Sequence, residues 1–387
     1  MMMEMQPAMM MHMMHHMDMQ GTKGAMGVPD DEDGRRYLKT TLGPEEGKTT
    51  PMATMNRQVT LASRPVGFPK TSDFHLISSP LPSPAADEVL VRSVFLSLDP
   101  YMRGRMSDAA SYAPPLAIGE VMTGGAVGVV VESKDPKFRA GDVVTGMLGW
   151  QEYAVTKGGE LRKIDSGSAS MSTALGVLGM PGLTAFFGLL DICDPQRGET
   201  VVVSGAAGAV GMLVGQIAKI KGCRVIGVAG SDTKISWLRD LGFDGAVNYK
   251  KAGDLYAALK ELCPKGIDVY FDNVGGAVTD AVVSLINVKS RICICGQISQ
   301  YNLEKPEVGP RWLVQLIVNQ AKVQGFLVSS YSARFSEGLE QLARWLKEGK
   351  LKYREDVAQG IEAAPQAFIG MLQGKNQGKQ LVQLSKA

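Results

Sequence analysis

The sequence predicts an α/β protein in which a mostly β region is followed by a doubly wound parallel sheet. Short β-rich runs separated by Gly and Pro mark the first region; they lie at 89–95, 126–131, 142–144 and 153–155. Beyond residue 166, apolar strand cores alternate with amphipathic helices, and these cores lie at 201–203, 225–226, 246–247, 267–271 and 292–295. Their spacing of roughly 20 to 25 residues is typical of right-handed βαβ crossovers. A content of 45 glycines in 387 residues fits the tight turns that such a fold needs.

Composition and charge exclude several classes of protein. Lys and Arg number 41 against 39 Asp and Glu, so the formal charge of +2 leaves no surplus for nucleic-acid phosphates or anionic lipids. We therefore expect neither a nucleic-acid nor a membrane partner. The five cysteines are an odd number and form no CxxC pair, which favours a reducing compartment, the cytoplasm.

Residues 1–55 differ from the rest of the chain. Twelve of the 22 methionines fall within residues 1–26, together with His12, His15 and His16. No hydrophobic period recurs there, so we expect a disordered extension. Three interpretations stay open: an upstream extension or tag, a tail that captures copper through thioether and imidazole groups, and a targeting peptide. The acidic run at 30–33 argues against an organellar transit peptide.

The strongest local motif is the run VVVSGAAGAVG at 201–211. An apolar strand ends there in small residues, which let the backbone approach a pyrophosphate, and the helix predicted over 210–221 offers its N-terminal N–H groups and dipole to that anion. The match is to a relaxed GxGxxG with Ala207 in place of the second Gly, so a turn that only packs helix on sheet stays open as an alternative.

The end of the next strand bears on the choice of cofactor. NAD enzymes usually place a carboxylate there for the ribose 2′-hydroxyl, whereas this chain continues AGSDTK at 229–234. Ser231 and Lys234 favour NADPH, because its 2′-phosphate needs a cation and hydroxyl donors. Asp232 argues against this, and the alternative is that Ser231 only caps a helix while Lys234 is solvated.

Histidine and cysteine are too scarce for two common kinds of catalytic site. A catalytic zinc needs three protein ligands, yet His75 is the only histidine after residue 16 and no cysteine precedes Cys193. The scarcity of histidine also disfavours Ser-His-Asp hydrolysis, and Ser204 lacks a Gly-x-Ser-x-Gly context. We therefore expect an enzyme without a metal.

Five motifs occur in a fixed order: LDPYMRGRM at 98–106, GMPGLTA at 179–185, GAAGAVG at 205–211, DNVGG at 272–276 and GKNQGK at 374–379. Together they resemble the zinc-independent medium-chain dehydrogenases/reductases of the alkenal double-bond reductase and prostaglandin reductase family, most closely the bacterial NADPH-dependent curcumin reductases. The resemblance runs from about Arg57 to Val382. It implies a GroES-like, mostly β substrate domain from residues 56–177 and 330–387, a Rossmann cofactor domain at 178–329, an active site in the cleft, and a homodimer.

The resemblance also implies which residues hold NADPH. They are Ala206, Ala207, Gly208, Ala209 and Val210 in the phosphate turn; Ser231, Lys234 and Tyr249 at the adenosine phosphate; and Asn273, Cys295, Gly296, Ser299, Tyr301, Phe326, Leu327, Val328 and Asn376 along the rest of the cofactor.

The implied reaction reduces the carbon–carbon double bond of α,β-unsaturated ketones and aldehydes, such as curcumin-like enones and alkenals. Hydride adds to the β-carbon, charge develops on the carbonyl oxygen, and a hydrogen-bond donor at that oxygen lowers the barrier. Tyr301 and Tyr101 are the candidate catalytic donors. Each could instead only pack, with a cofactor ribose hydroxyl polarising the carbonyl. A quinone reductase of the same fold and a non-catalytic NADPH-binding protein stay open as alternative functions.

Overall fold

Two large sheets organise the part of the chain that the structure, a computed structural model, describes: residues 55–109, 111–165 and 169–386. The strands in chain order are β1 (Met55–Leu61), β2 (Phe74–Pro80), β3 (Glu88–Ser97), β4 (Ala126–Ser133), β5 (Val143–Gly146), β6 (Tyr153–Lys157), β7 (Arg162–Lys163), β8 (Thr200–Ser204), β9 (Arg224–Ala229), β10 (Gly245–Asn248), β11 (Ile267–Asp272), β12 (Ile286–Ile294), β13 (Lys322–Gly325), β14 (Glu355–Gln359) and β15 (Lys379–Gln383). The α-helices are α1 (Met102–Arg105), α2 (Met180–Phe187), α3 (Gly211–Ile220), α4 (Asp232–Asp240), α5 (Leu255–Leu262), α6 (Gly276–Val283), α7 (Leu313–Val318), α8 (Phe335–Lys347) and α9 (Ala364–Leu372).

The six-stranded sheet is parallel throughout, in the order β10-β9-β8-β11-β12-β13. The predicted strand cores at 201–203, 225–226, 246–247 and 267–271 fall within β8 to β11, and β12 contains most of the fifth. After β8, the next two strands β9 and β10 are added on one side of β8, and β11 then pairs with the other side of β8. Strand order reverses there, and ligands of such sheets bind outside the carboxyl ends of the strands at this point. The predicted doubly wound sheet is confirmed.

The seven-stranded sheet is mostly antiparallel and is built around β3. β3 pairs antiparallel with β4, with β6 and with β15, and β14 lies parallel to β15 at the edge. The predicted mostly β region is confirmed, and two strands from the C-terminal end of the chain complete its sheet. Because β15 pairs with β3, the GKNQGK motif is brought beside the LDPYMRGRM motif. The exact domain boundaries stay a prediction.

Each sheet has its own apolar core. Beside the antiparallel sheet, the Phe74 ring stacks on Trp150 with centroids 5.6 Å apart, and Phe368 meets both rings edge-on. Beside the parallel sheet, buried Leu342 of α8 belongs to the same cluster as Leu183 and Phe187 of α2. These cores fix the relative positions of the strand ends and loops that border the site.

Two sequence predictions concern the N-terminal extension and the absence of a membrane partner. The expected disordered extension lies outside the described residues, except that Met55 begins β1. In the described ranges, no helix combines the length and the apolar character that crossing a bilayer requires.

Candidate active site

The turn between β8 and α3 leaves its backbone accessible. Gly205 has φ +58°, in the left-handed region that favours glycine. A Cβ on Gly211 would lie 2.4 Å from the carbonyl oxygen of Gly205, so the helix starts this close to the turn only because position 211 has no side chain. Ala206 and Ala207 are buried beneath the turn, whereas Gly208, Ala209 and Val210 border a cavity. The arrangement suits an anion held by main-chain N–H groups and the α3 dipole.

A buried hydrogen-bond network fixes the strand ends where the order of the sheet reverses. The Ser204 hydroxyl donates to Asp272 Oδ1 at 2.8 Å, and the backbone N–H of Asn273 donates to that hydroxyl at 2.8 Å. The Asn273 side-chain amide also donates to the Ser204 carbonyl at 2.8 Å. β8 and β11 are thereby held at a fixed separation, and Asn273 is rigidly placed at the edge of the cavity.

The cavity has a volume of about 350 Å³ and lies between the phosphate turn and the LDPYMRGRM loop. Among the residues predicted for the site, it is lined by Tyr101, Gly208, Ala209, Val210, Asn273, Cys295, Gly296, Tyr301, Phe326, Leu327, Val328 and Asn376. The structure therefore brings both candidate tyrosines together with most of the predicted cofactor residues. The remaining lining includes apolar side chains, Leu98, Pro100, Met180, Pro181, Val274, Ile298 and Met371, and polar ones, Asp99, Tyr112, Thr184, Lys379 and Gln380.

The other predicted cofactor residues lie away from the cavity wall. Ala206 and Ala207 point into the core, and the Ser299 hydroxyl donates to the Val274 carbonyl at 2.7 Å. Ser231, Lys234 and Tyr249 lie at the carboxyl end of β9 and β10. Lys234 reaches the cavity rim, because its ammonium donates at 2.7 Å to the carbonyl of Gly374, a lining residue.

This outer corner carries positive charge that is not neutralised by an ion pair. Burial, followed by the charge of Lys250, lowers the pKa of Lys234, and Asp356 partly offsets the shift. Among the ion pairs of the described ranges, neither Lys234 nor Lys250 takes part, whereas Asp232 pairs with Lys251 at 2.5 Å. The carboxylate that argued against NADPH is thus already engaged. Ser231 does cap α4, since its hydroxyl accepts from the Lys234 N–H at 3.4 Å.

The two candidate donors are both protonated at neutral pH. Burial raises the pKa of Tyr301, and its phenol oxygen accepts a hydrogen bond from the Gln297 N–H at 3.1 Å, which leaves its own proton free to donate. Burial, then the charge of Asp99, raises the pKa of Tyr101, while a hydrogen bond with Thr123 opposes the shift. Both hydroxyls can therefore donate to an oxygen anion in the cavity.

Cys295 follows β12 and borders the cavity. Burial raises the pKa of its thiol to about 12, and its backbone N–H donates to the Asp272 carbonyl at 2.8 Å. A thiol held in its neutral form is a poor nucleophile, so Cys295 is placed to line the cofactor path and not to attack a substrate.

Sequence reasoning missed Tyr112, Lys379 and Lys250 as polar residues of the site. Tyr112 borders the cavity, and burial followed by the neighbouring Tyr301 raises its pKa. Lys379 also borders it, although its ammonium is buried and paired with Asp99 at 2.9 Å. Lys250 adds its charge to the outer corner. The only signals were the position of Lys250 next to Tyr249 and of Lys379 in the GKNQGK motif.

Arg103 anchors the loop that carries Tyr101. Its Nε donates to Asn302 Oδ1 at 3.1 Å, and its Nη2 donates to the carbonyls of Pro65 and Gly67. Five-donor guanidinium groups suit this kind of multiple anchoring. These three hydrogen bonds tie Arg103 to the segments around Pro65 and Asn302.

Two protein families match parts of the chain. Residues 57–164 match the family described as "N-terminal domain of oxidoreductase", and residues 209–344 match the family described as "Zinc-binding dehydrogenase". Within the ranges that the structure describes, no group of three or more His, Cys, Asp and Glu side chains is placed to hold a metal ion. Independence of zinc stays a prediction.

Known proteins are similar over most of the chain. It is 48% identical over 336 residues to the NADPH-dependent curcumin reductase of Escherichia coli, covering 85% of this chain and 97% of the relative. It is 47% identical over 337 residues to the NADP(+)-dependent 2-alkenal reductase of Nicotiana tabacum, covering 86% and 98%. Among solved structures, CurA from Vibrio vulnificus in complex with NADPH is similar with a TM-score of 0.83 and 50% identity, covering 86% of this chain and 100% of that one.

Proposed function

This chain belongs to the medium-chain dehydrogenase/reductase family, in its branch of alkenal double-bond and prostaglandin reductases, and on that premise we propose that it reduces the carbon–carbon double bond of α,β-unsaturated ketones and aldehydes with NADPH. The observation that carries the proposal is the cavity itself. One end is the open phosphate turn, much of the wall is apolar, and Tyr101 and Tyr301 border the same space. An oxidoreductase that works on an apolar enone needs these three features together.

The residues present fit NADPH at two separate points. The phosphate turn has no side chains at Gly205, Gly208 and Gly211, so a pyrophosphate can come close to its backbone. The outer corner offers the charges of Lys234 and Lys250 to a 2′-phosphate, without a carboxylate paired to either. We infer that Ser231 and Tyr249 complete this corner, and that Asn273, Phe326–Val328 and Asn376 line the path between the two points.

When bound, NADPH supplies a hydride from nicotinamide C4 to the β-carbon of the substrate. As the substrate π electrons move toward the carbonyl oxygen, the Tyr301 hydroxyl donates a hydrogen bond to the developing enolate. The Gln297 N–H, which the same phenol oxygen accepts, holds that hydroxyl in place and polarises its O–H bond. A proton then adds at the α-carbon, and Tyr101 is the second donor that can stabilise the oxygen or deliver this proton.

The apolar walls set the class of substrate. Met180, Pro181, Ile298 and Met371 offer no charge to a substrate chain, so extended apolar or aromatic groups on the enone are favoured over charged ones. Tyr112 on the same wall adds an aromatic face and a hydroxyl. Curcumin-like enones and alkenals both meet these requirements.

We also propose that the protein is a homodimer. In the described part of the chain, β13 is an edge strand that pairs only with β12, and the neighbouring α7 exposes Leu313, Val314, Ile317 and Val318. An edge strand beside an apolar patch is a surface on which a second copy can continue the sheet. Ile317→Glu should convert a dimeric species to a monomer in light scattering, whereas an unchanged mass would place the interface elsewhere.

The cytoplasm remains our prediction for the location of the protein, from the cysteine pattern.

The experiment that tests the function is NADPH consumption with a panel of enones, enals, quinones and curcumin. We expect turnover with the enones and enals, a saturated carbonyl product, and little turnover with NADH. Preferred turnover of quinones would replace the proposal with a quinone reductase. Binding of NADPH without oxidation by any compound would indicate a non-catalytic binding protein.

A further inference from the structure

Lys379 is a buried cation at the floor of the cavity. Its side chain is 2% exposed, and its ammonium donates to the Leu98 carbonyl at 2.8 Å and to Asp99 Oδ1 at 2.9 Å. A buried ammonium is costly to desolvate, so the fold retains it only where its partners compensate for that cost. The two partners are consecutive residues of the LDPYMRGRM motif, two and three positions before Tyr101.

Asp99 makes two further hydrogen bonds besides the one from Lys379. Its second carboxylate oxygen, Oδ2, accepts a hydrogen bond from the Ser97 hydroxyl. Its carbonyl accepts the Met102 N–H at 3.1 Å and so begins the turn that leads into α1, with Tyr101 at the position before the helix. Asp99 is thus fixed through both its side chain and its backbone at the start of the turn that carries Tyr101.

The residue next to Lys379 is tied to the other side of the cavity. The backbone N–H of Gly378 donates to the Ala207 carbonyl at 3.0 Å, within the phosphate turn. Gly378 has φ +74°, and a Cβ there would lie 2.1 Å from the Arg354 carbonyl oxygen, so this position requires glycine. Two consecutive residues thus connect the phosphate turn, through Gly378, to the Tyr101 loop, through Lys379.

We propose that Lys379 is a positioning residue, which acts through Asp99 to hold the Tyr101 hydroxyl at a fixed place relative to the phosphate turn. The inference rests on the proposed function, because it assigns Tyr101 a place in the reaction. Lys379 does this without contacting the reacting atoms, because its ammonium donates to Leu98 and Asp99 of the loop. Its charge also cancels that of Asp99, which would otherwise face the developing enolate.

A double-mutant cycle tests whether Lys379 acts through Tyr101. Because Lys379→Met alone leaves a buried unpaired carboxylate and endangers folding, the pair Asp99→Asn/Lys379→Met is used, which removes both charges. The single-turnover rate of hydride transfer is measured for the wild type, the pair variant, Tyr101→Phe and the combination. The matched control is Lys219→Met/Asp244→Asn, which removes an ion pair of 2.8 Å between α3 and the residue before β10.

We expect the pair variant to lose roughly tenfold or more in the rate of hydride transfer, with the NADPH affinity nearly unchanged. In the Tyr101→Phe background, the same two substitutions should lower that rate by less than about twofold further. The control pair should leave the rate intact. Independent effects that multiply would overturn the proposal, and so would a pair variant with the wild-type rate. A slow pair variant beside an unimpaired Tyr101→Phe would overturn it as well.

A readout without turnover separates this proposal from the proposed function. In protein labelled with 3-fluorotyrosine and free of cofactor, the Tyr101 fluorine resonance is identified by its loss in Tyr101→Phe. We expect it to broaden or split in the pair variant, because the loop takes more than one position, and to stay sharp in the control. An unchanged resonance would contradict the positioning role even if the wild type reduced no enone. A changed resonance in a protein inactive on every enone would retain the positioning role and reject the function.

Discussion

The ammonium of Lys234 donates a hydrogen bond to the Gly374 carbonyl at 2.7 Å, which joins α4 of the parallel-sheet region to the loop that follows α9. This contact brings a lysine with no ion pair in the described ranges to the rim of the cavity. The same residue was singled out in the sequence as the cation for a 2′-phosphate, with a solvated helix lysine as the alternative. Its partly buried, hydrogen-bonded position differs from that alternative.

Lys234→Ala should weaken NADPH binding and leave NADH binding nearly unchanged, because only NADPH carries the 2′-phosphate. A charge-assisted contact is worth about 1.5 to 3 kcal/mol, which corresponds to a loss of roughly tenfold to hundredfold in affinity. Fluorescence titration with each cofactor measures both constants. Lys163→Ala is the matched control, since that ammonium is paired with Asp142 at 2.7 Å on the antiparallel sheet. Equal weakening of both cofactors would contradict the assignment.

NADPH affinity should also fall with rising pH, at pH values below those at which an ordinary lysine loses its proton. Burial and the charge of Lys250 lower the pKa of Lys234, so its ammonium is lost at a lower pH than the usual value of about 10.4. The dianionic 2′-phosphate binds the protonated form, and the dissociation constant for NADPH should therefore rise as pH passes through the lowered pKa. Titrations from neutral to alkaline pH should show this rise for NADPH, a flat profile for NADH, and a shallower rise in Lys234→Ala. Parallel profiles for the two cofactors would show that another group is responsible.

Tyr301→Phe should lower kcat by roughly 10- to 1000-fold, because it removes a donor that acts mainly in the transition state. NADPH affinity should change little, since the ring is preserved. Single-turnover hydride transfer with 4-deuterated NADPH, whose isotope effect confirms that chemistry is being timed, is the measurement. Tyr331→Phe, which removes a hydroxyl from a ring stacked on Phe187, is the control. An unimpaired rate in Tyr301→Phe would pass the donor role to Tyr101 or to the cofactor ribose.

The purified enzyme should contain no stoichiometric zinc and should keep its activity in chelators. A catalytic zinc needs three protein ligands, and in the ranges that the structure describes no group of three or more His, Cys, Asp and Glu side chains is placed to hold a metal ion. Elemental analysis and an assay after dialysis against a chelator measure this. Activity that is lost on chelation and returns with zinc would contradict the expectation.

The parallel sheet could be predicted because its signals are local. Runs of buried β-branched residues such as 201–203, the small residues at 205–211 and the regular spacing between strands report on strands, turns and crossovers within a short window of sequence. The helix predicted over 210–221 occupies Gly211–Ile220. The pairing of β15 with β3 joins segments almost 300 residues apart, and the sequence carries no local signal for it. The family resemblance implied only that residues 330–387 belong to the substrate domain.

The residues that sequence reasoning missed are those whose role depends on such distant pairings. Lys379 becomes a buried cation only when β15 is laid beside β3 and meets Asp99. Tyr112 stands in a loop of small residues and prolines, and its proximity to Tyr301 is a matter of tertiary folding. Lys250 gains its place from the pairing of β10 with β9, which brings it near Lys234. Residue type alone distinguished none of them from an ordinary surface or packing residue.

The central claim, reduction of the carbon–carbon double bond, is tested most directly by the position of the label in the product. The wild-type protein is incubated with an enone and NADPH deuterated at the transferable C4 position, and the product is examined by mass spectrometry and NMR. We predict a saturated ketone with one deuterium on the former β-carbon. Deuterium on the carbonyl carbon of an allylic alcohol, or no labelled product at all, would contradict the claim.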